Sequence, residues 1–305
     1  YPRDAFRNWD LVNKHPYIIG DFVWTALDYL GESSIGRAYY KGREKDGFHT
    51  GQLYPWHGAY CGDIDLTGLR KPISHYRDML YNPDKKLYMA VREPNGYRGE
   101  IKVTDWGVWP TSESWTWSGH EGKPIEVEVC SRYPRVRLFL NDSLVDERPA
   151  GYVQQFKAVF TLPYQAGTLR AVGVDENGIE QETVVLKTSG TPVSLRLTTQ
   201  DQTIKADGQD LAFVIIEVVD KNGNVVPETS LPVKIECTGK GTVIAGGNAA
   251  YADMESFRSL TPNTFRGKAI AIVQPDGEKG DIQVKVSAKG LEDASIVITT
   301  CLLYT

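Results

Sequence analysis

Trp24 closes the apolar run YIIGDFV, and Asp28 follows four residues later. Together they offer an indole face and a hydrogen-bond acceptor at one place on the chain. Ile18 to Val23 is short, rich in β-formers and apolar apart from Asp21, which predicts a strand covered on both faces. A large aromatic at the carboxyl end of such a strand is where a (β/α) barrel places residues that meet a ligand. The alternative is a ring that plugs the barrel mouth. Other chemistry is thinly represented. Cys61, Cys130, Cys237 and Cys301 are far apart and match neither zinc spacing nor a dense disulfide scaffold. Gly246-Gly247-Asn248 lacks the lysine and following helix of a phosphate loop and reads as a turn. Neither a metal nor a cofactor is expected.

The elements that position these residues change character along the chain. Up to about Pro83 the texture is mixed: a helix around Ala5 to Asn13, the buried strand, a long loop from Gly31 to Leu69, and a helix from Pro72 to Tyr81. Pro72 suits a first helical turn, Ile73, Tyr76, Met79 and Leu80 recur at helical spacing, and Asn82-Pro83 ends the pattern. A loop of that length inside a compact domain is usually functional. It carries Trp56 and His57, which either reach a ligand subsite or pack the loop on itself.

Beyond Pro83 strand alternation takes over. Ile125, Val127 and Val129 alternate with Glu126 and Glu128, Val136, Leu138 and Leu140 follow, and Leu169 to Val174 leads into the turn Asp175-Glu176-Asn177-Gly178. A second set comprises Val193 to Leu197, Leu211 to Val219, a hairpin signal at Asn222-Gly223, Val233 to Cys237, Ala269 to Val273 and Ile282 to Val286. Two tandem β-sandwiches are expected, joined by a short polar linker from Thr188 to Pro192.

The totals are globular: 305 residues, 41% hydrophobic and 24% charged, enough for two or three domains with real cores. A net charge of -5 gives no general attraction to phosphates or anionic lipid, so nucleic-acid and membrane-surface partners are not expected. No apolar run approaches the roughly 20 residues that cross a bilayer. The opening YPRDAFRNWD has no methionine, basic n-region or apolar h-region, so a processed or excised start is expected.

Three blocks in order carry a resemblance. DFVWTALDYLGE, CGDIDLTGLRKP and ISHYRDMLY resemble the eighth strand, its loop and the eighth helix of glycoside hydrolase family 2, especially β-galactosidases of the Bacteroides kind. GKPIEVEVCSRYPRVRLFLNDSLVDE with AGTLRAVGVDENG resembles the sandwich that follows the barrel. FVIIEVVDKNGNVVP, CTGKGTVIAGGN and NTFRGKAIAIVQ resemble the last immunoglobulin-like domain of those enzymes.

The resemblance implies a mainly β chain: residues 1–83 as the end of a (β/α)8 barrel, 84–189 and 190–305 as two immunoglobulin-like sandwiches. It also implies a retaining mechanism, in which one glutamic acid protonates the departing oxygen and a glutamate about 5 Å away attacks the anomeric carbon. Both lie before the eighth strand in the family, so neither is expected here. Glu32, Glu44 and Glu93, the acids nearest the barrel remnant, read as ordinary loop carboxylates.

Trp24 matches the family's strand-eight tryptophan, whose ring packs on the C–H face of a pyranose. Asp28 is a candidate acceptor for a sugar hydroxyl and Trp56 a candidate at a leaving-group subsite. Where the family's β-glucuronidases carry Asn-x-Lys to meet a sugar carboxylate, this chain has Asp65-Leu66-Thr67-Gly68, which favours a neutral β-galactoside or oligosaccharide substrate. Thr67 stands near the asparagine of a sodium site, which puts that ion in doubt. A periplasmic or extracellular address in a Gram-negative bacterium is implied by the resemblance alone. Trp106, Trp109, Trp115 and Trp117 suggest either a glycan platform or a packed first strand; their family context favours the core. The rival reading of the whole chain is a non-catalytic carbohydrate-binding or structural β-sandwich module.

Overall fold

The computed structural model describes residues 4–32, 35, 36, 38–41 and 55–302, and the chain divides into two compact units, Tyr1–Thr188 and Ser189–Thr305. The sandwich of the first unit follows from the alternation in its strands. In Pro124–Ser131 the side chains of Ile125, Val127 and Val129 are buried while the intervening glutamates face outward. This strand lies between Lys157–Pro163 and Leu87–Arg92, with Thr111–Ser112 at the edge beyond. The opposing sheet orders Glu180–Lys187, Thr168–Val174, Arg135–Leu140 and Ser143–Pro149. Trp115, Val127, Phe160, Leu138 and Leu169 meet between the two sheets in one core. Asp175 accepts from the Asn177 and Ile179 amides, and Gly178 takes φ 83°, closing the expected hairpin between Thr168–Val174 and Glu180–Lys187.

Both expected helices form, as Ala5–Lys14 and Pro72–Tyr81. Tyr76, Met79 and Leu80 turn inward, as their spacing requires, and join Ala5, Cys130 and Phe156 in a cluster that seats the helices on the sandwich. Arg132 reinforces this join by donating to the Met79 and Leu80 carbonyls at the open end of the second helix.

The expected buried strand Ile18–Val23 is not present. An extended segment is stabilised by a ladder on its flanks, and among the described residues these six find none. Ile19 and Phe22 are 99% exposed and Ile18 and Val23 only half-buried, so the apolar run is a loop rather than a strand covered on both faces. Over the described part of residues 4–83 the pairing is limited to Tyr29–Leu30 with Gly58–Ala59, Ala38–Tyr40 with Ile101–Val103, and bridges from Ile64 to Leu27 and Arg70. Only the Leu27 bridge is parallel. These residues do not display barrel architecture.

The second unit is also a sandwich. One sheet orders Pro192–Thr199, Ala212–Asp220, Lys268–Pro275 and Gly241–Gly247; the other orders Thr203–Lys205, Ala294–Cys301, Gly280–Ser287 and Lys234–Gly239. The expected Asn222-Gly223 hairpin is a correction. The chain does reverse there, but the ladder is a single Val219 to Val225 bridge, and the next strand joins the opposite sheet. Val214, Ile216 and Val218 meet Ala269, Ala271, Val273, Ile282 and Ile298 in the core. Ile216 is fully buried, so Ile216→Val should lower the unfolding free energy by about 1 kcal/mol, read as a shifted denaturant midpoint with an unchanged slope.

Candidate functional site

Trp24 is 60% exposed and lines a cleft of about 30 Å³ together with Asn8, Asp21, Phe22, Val23, Cys61 and Arg77. Its indole N–H donates to the Tyr29 hydroxyl at 3.3 Å, and the two rings meet edge to face with centroids 6.4 Å apart. Tyr29 in turn donates to Glu32, and this bond is the main reason its hydroxyl is held above the ordinary tyrosine range. More than half of the Trp24 surface is therefore open while its indole N–H is spoken for. That is the surface an apolar ligand face requires.

The segment behind Trp24 is firmly held. Asp63 donates its amide to the Thr25 carbonyl at 3.1 Å, Ile64 donates to Ala26 at 2.9 Å, and Asp28 donates to Ile64 at 2.8 Å. The structure gives Asp28 a different task from the sugar acceptor suggested by its position after Trp24. Its side chain is fully buried, accepts the Gly62 amide at 2.7 Å and pairs with the Lys71 ammonium at 2.8 Å. Trp56 is likewise turned inward, 5% exposed, with its N–H on the Gly58 carbonyl at 2.7 Å. His57 bonds through Nδ1 to the Pro55 carbonyl, so this part of the loop packs on itself.

Among the described residues, Arg77, which lines the cleft, and the nearby Lys71 and Arg70 are engaged. Lys71 lies over the Tyr60 ring at 3.7 Å as well as on Asp28. Arg77 pairs with Asp63 at 2.7 Å, and Arg70 bridges Ser74 and Asp78. The arrangement leaves no local signal in the sequence, because Asp28 stands 43 positions from Lys71 and 34 from Gly62 and meets them only once the loops are folded together.

Glu32 and Glu93, two of the acids expected to be ordinary loop carboxylates, are occupied by tyrosines. Glu93 is 3% exposed and accepts from Tyr40 at 2.6 Å, with Arg98 at 3.5 Å. Burial, with Glu93 beside it, pushes the Tyr40 hydroxyl up to about 12. Glu44 lies outside the described residues. Trp115 and Trp117 are sealed in the sandwich core, where Trp115 donates to the Gln165 carbonyl. Trp109 donates to the Glu93 carbonyl, and Trp106 alone of the four is substantially exposed, at 39%. No group of three or more His, Cys, Asp or Glu side chains suited to a metal occurs among the described residues.

Comparison with known proteins adds an independent line. Residues 195–297 match the family described as glycoside hydrolase family 2 C-terminal domain 5, and residues 122–182 match a domain of unknown function. The chain is 25% identical over 292 residues to a β-galactosidase of Bacteroides ovatus, covering 95% of this chain and 29% of the relative. It is 23% identical to a β-glucuronidase of Formosa agariphila, covering 97% of this chain and 28% of that protein. A crystal structure of a glycosyl hydrolase family 2 member from Bacteroides cellulosilyticus superposes with a TM-score of 0.87 at 31% identity, over 99% of this chain and 38% of that one. The chain thus spans under a third of the length of these curated relatives.

Proposed function

The chain carries the carboxyl-terminal region of a glycoside hydrolase family 2 protein, and on that premise we propose that it serves a retaining β-glycosidase acting on terminal β-galactosides. In this reading residues 1–83 complete a barrel contributed mostly by other residues of the protein. The acid that protonates the departing oxygen and the glutamate that attacks the anomeric carbon come from those other residues. Glu32 and Glu93 are committed to tyrosines, which supports leaving them out of the chemistry. Trp24 supplies the platform for the sugar's C–H face. A periplasmic or extracellular site belongs to the same proposal.

The observation that carries the reading is the open indole of Trp24 beside cations that are already neutralised. A uronic acid needs an available positive charge to offset desolvation of its carboxylate. Lys71 and Arg77 each have an acidic partner at hydrogen-bonding distance, so the cleft suits an uncharged pyranoside. The test is the full-length protein on nitrophenyl β-galactoside, β-glucuronide and β-mannoside. The galactoside is expected to be turned over with kcat/KM at least about tenfold above the other two, a difference of about 1.4 kcal/mol. A glucuronide turned over as well as the galactoside would overturn the assignment.

A further inference from the structure

We propose that the buried Asp28–Lys71 pair is the positioning device for Trp24, holding the indole at the angle from which it meets its ligand. The proposal starts from what restrains the ring among the described residues: one hydrogen bond to Tyr29 and an edge contact, with 60% of the residue exposed. Its orientation is therefore inherited from the backbone that follows it.

That backbone is fastened at Asp28. Three amide–carbonyl bonds zip residues 25–28 to 62–64, and the Asp28 carboxylate closes the far end of the zip on the Gly62 amide. Contact is possible because residue 62 has no side chain: a Cβ there would stand 2.3 Å from the Asp28 nitrogen and 2.5 Å from the Leu27 carbonyl carbon. The remaining charge on Asp28 is met by Lys71, the residue immediately before the helix Pro72–Tyr81. The ammonium also lies on the Tyr60 ring and bonds the Tyr60 carbonyl at 3.3 Å, so it ties the Trp24 segment, the 60–64 segment and the helix together. Arg77, one and a half turns along the same helix, grips Asp63 on the other side of Gly62. Both acids flanking this crossing thus answer to one helix.

A buried ion pair adds little net stability over an apolar pair of the same shape, yet its geometry is exacting. Its value here is geometric. Removing one charge leaves the other buried and uncompensated, and the two segments must part to let water reach it. The indole would then lose its fixed angle without being touched.

The proposal rests on the sugar-platform reading for its functional consequence but not for its geometry, and the experiment separates the two. Asp28→Asn, which keeps the shape and the Gly62 acceptor, and Lys71→Met are made in the full-length protein, each with and without Trp24→Ala, which removes the ring altogether. Acrylamide quenching of the Trp24 emission, obtained by difference from the matching Trp24→Ala protein, reports the ring; KM and kcat on nitrophenyl β-galactoside report the ligand. Either charge variant is expected to change Trp24 quenching and raise KM about tenfold while kcat moves less than threefold, and the KM effect should shrink to under twofold on the Trp24→Ala background. Lys71→Met suffices if Asp28→Asn does not fold. Altered quenching with KM unmoved by any change at Trp24 would uphold the positioning role and sink the sugar platform instead. Unaltered quenching, or a KM effect of the same size without Trp24, would overturn the proposal.

Discussion

Trp24→Ala in the full-length protein should lower kcat/KM for nitrophenyl β-galactoside roughly 70-fold, while Trp24→Phe, which keeps a ring face, should cost under about tenfold. The magnitude follows from area. A tryptophan buries about 200 Å², and one face is roughly half of that; at about 25 cal/mol per Å² its loss removes about 2.5 kcal/mol. At about 1.36 kcal/mol per decade that is the stated factor. The ring is exposed and its polar edge is occupied by Tyr29, so the substitution opens no core cavity and the loss should fall on binding rather than folding. A sugar face that stacks equally before and during reaction would raise KM alone; a ring that stacks more closely on the flattened transition state would lower kcat as well. Both parameters are therefore needed, with the thermal midpoint as control. A kcat/KM within threefold of the parent would remove Trp24 from the substrate site.

The legible parts of this molecule are those in which short-range pattern and burial coincide. The helix Pro72–Tyr81 was readable because Tyr76, Met79 and Leu80 repeat at the period of the face they bury and Pro72 starts it. The strand Pro124–Ser131 was readable because its period-two alternation is also its inside–outside alternation. Ile18–Val23 has equally strong β composition, yet a strand is made by its neighbours, and an apolar run says nothing of whether a ladder flanks it. The same distinction governs the site. Trp24 could be singled out by its place after the run, whereas the fates of Asp28 and Trp56 were set by contacts invisible locally: Lys71 lies 43 positions from Asp28, and the Trp56 indole seals onto its own loop at Gly58. Asn222-Gly223 shows the limit in turn chemistry. The pair specifies a reversal, which occurs with Gly223 at φ 79°, but not which sheet the next strand joins.

Asp220 controls that reversal, and its loss should be the costliest polar change in the second unit. The residue is 2% exposed at the end of the strand Ala212–Asp220, and its carboxylate accepts from the Asn222 and Asn224 amides, the Asn224 side chain and, at 2.7 Å, the Gly190 amide. It therefore fastens the turn to the segment that opens this unit. Burial alone would push the carboxyl up, but the bonds from Gly190, Asn224 and Asn222 outweigh it and hold the group at about 2. Asp220→Ala leaves those donors without their acceptor and should cost about 3 kcal/mol. The pH dependence has a definite sign. Because the folded value lies below the usual carboxylate value of about 3.9, the contribution is complete above that pH and is lost as the pH falls toward about 2. All seven tryptophans precede residue 118, so their emission does not report on this unit. Hydrogen-exchange protection of the amides in Ala212–Asp220 does, measured on the whole chain at pH 5 and pH 2.5. The parent should lose protection between the two, and Asp220→Asn, already weaker at pH 5, should lose distinctly less. Equal losses in the two proteins would mean that this carboxylate does not hold the turn.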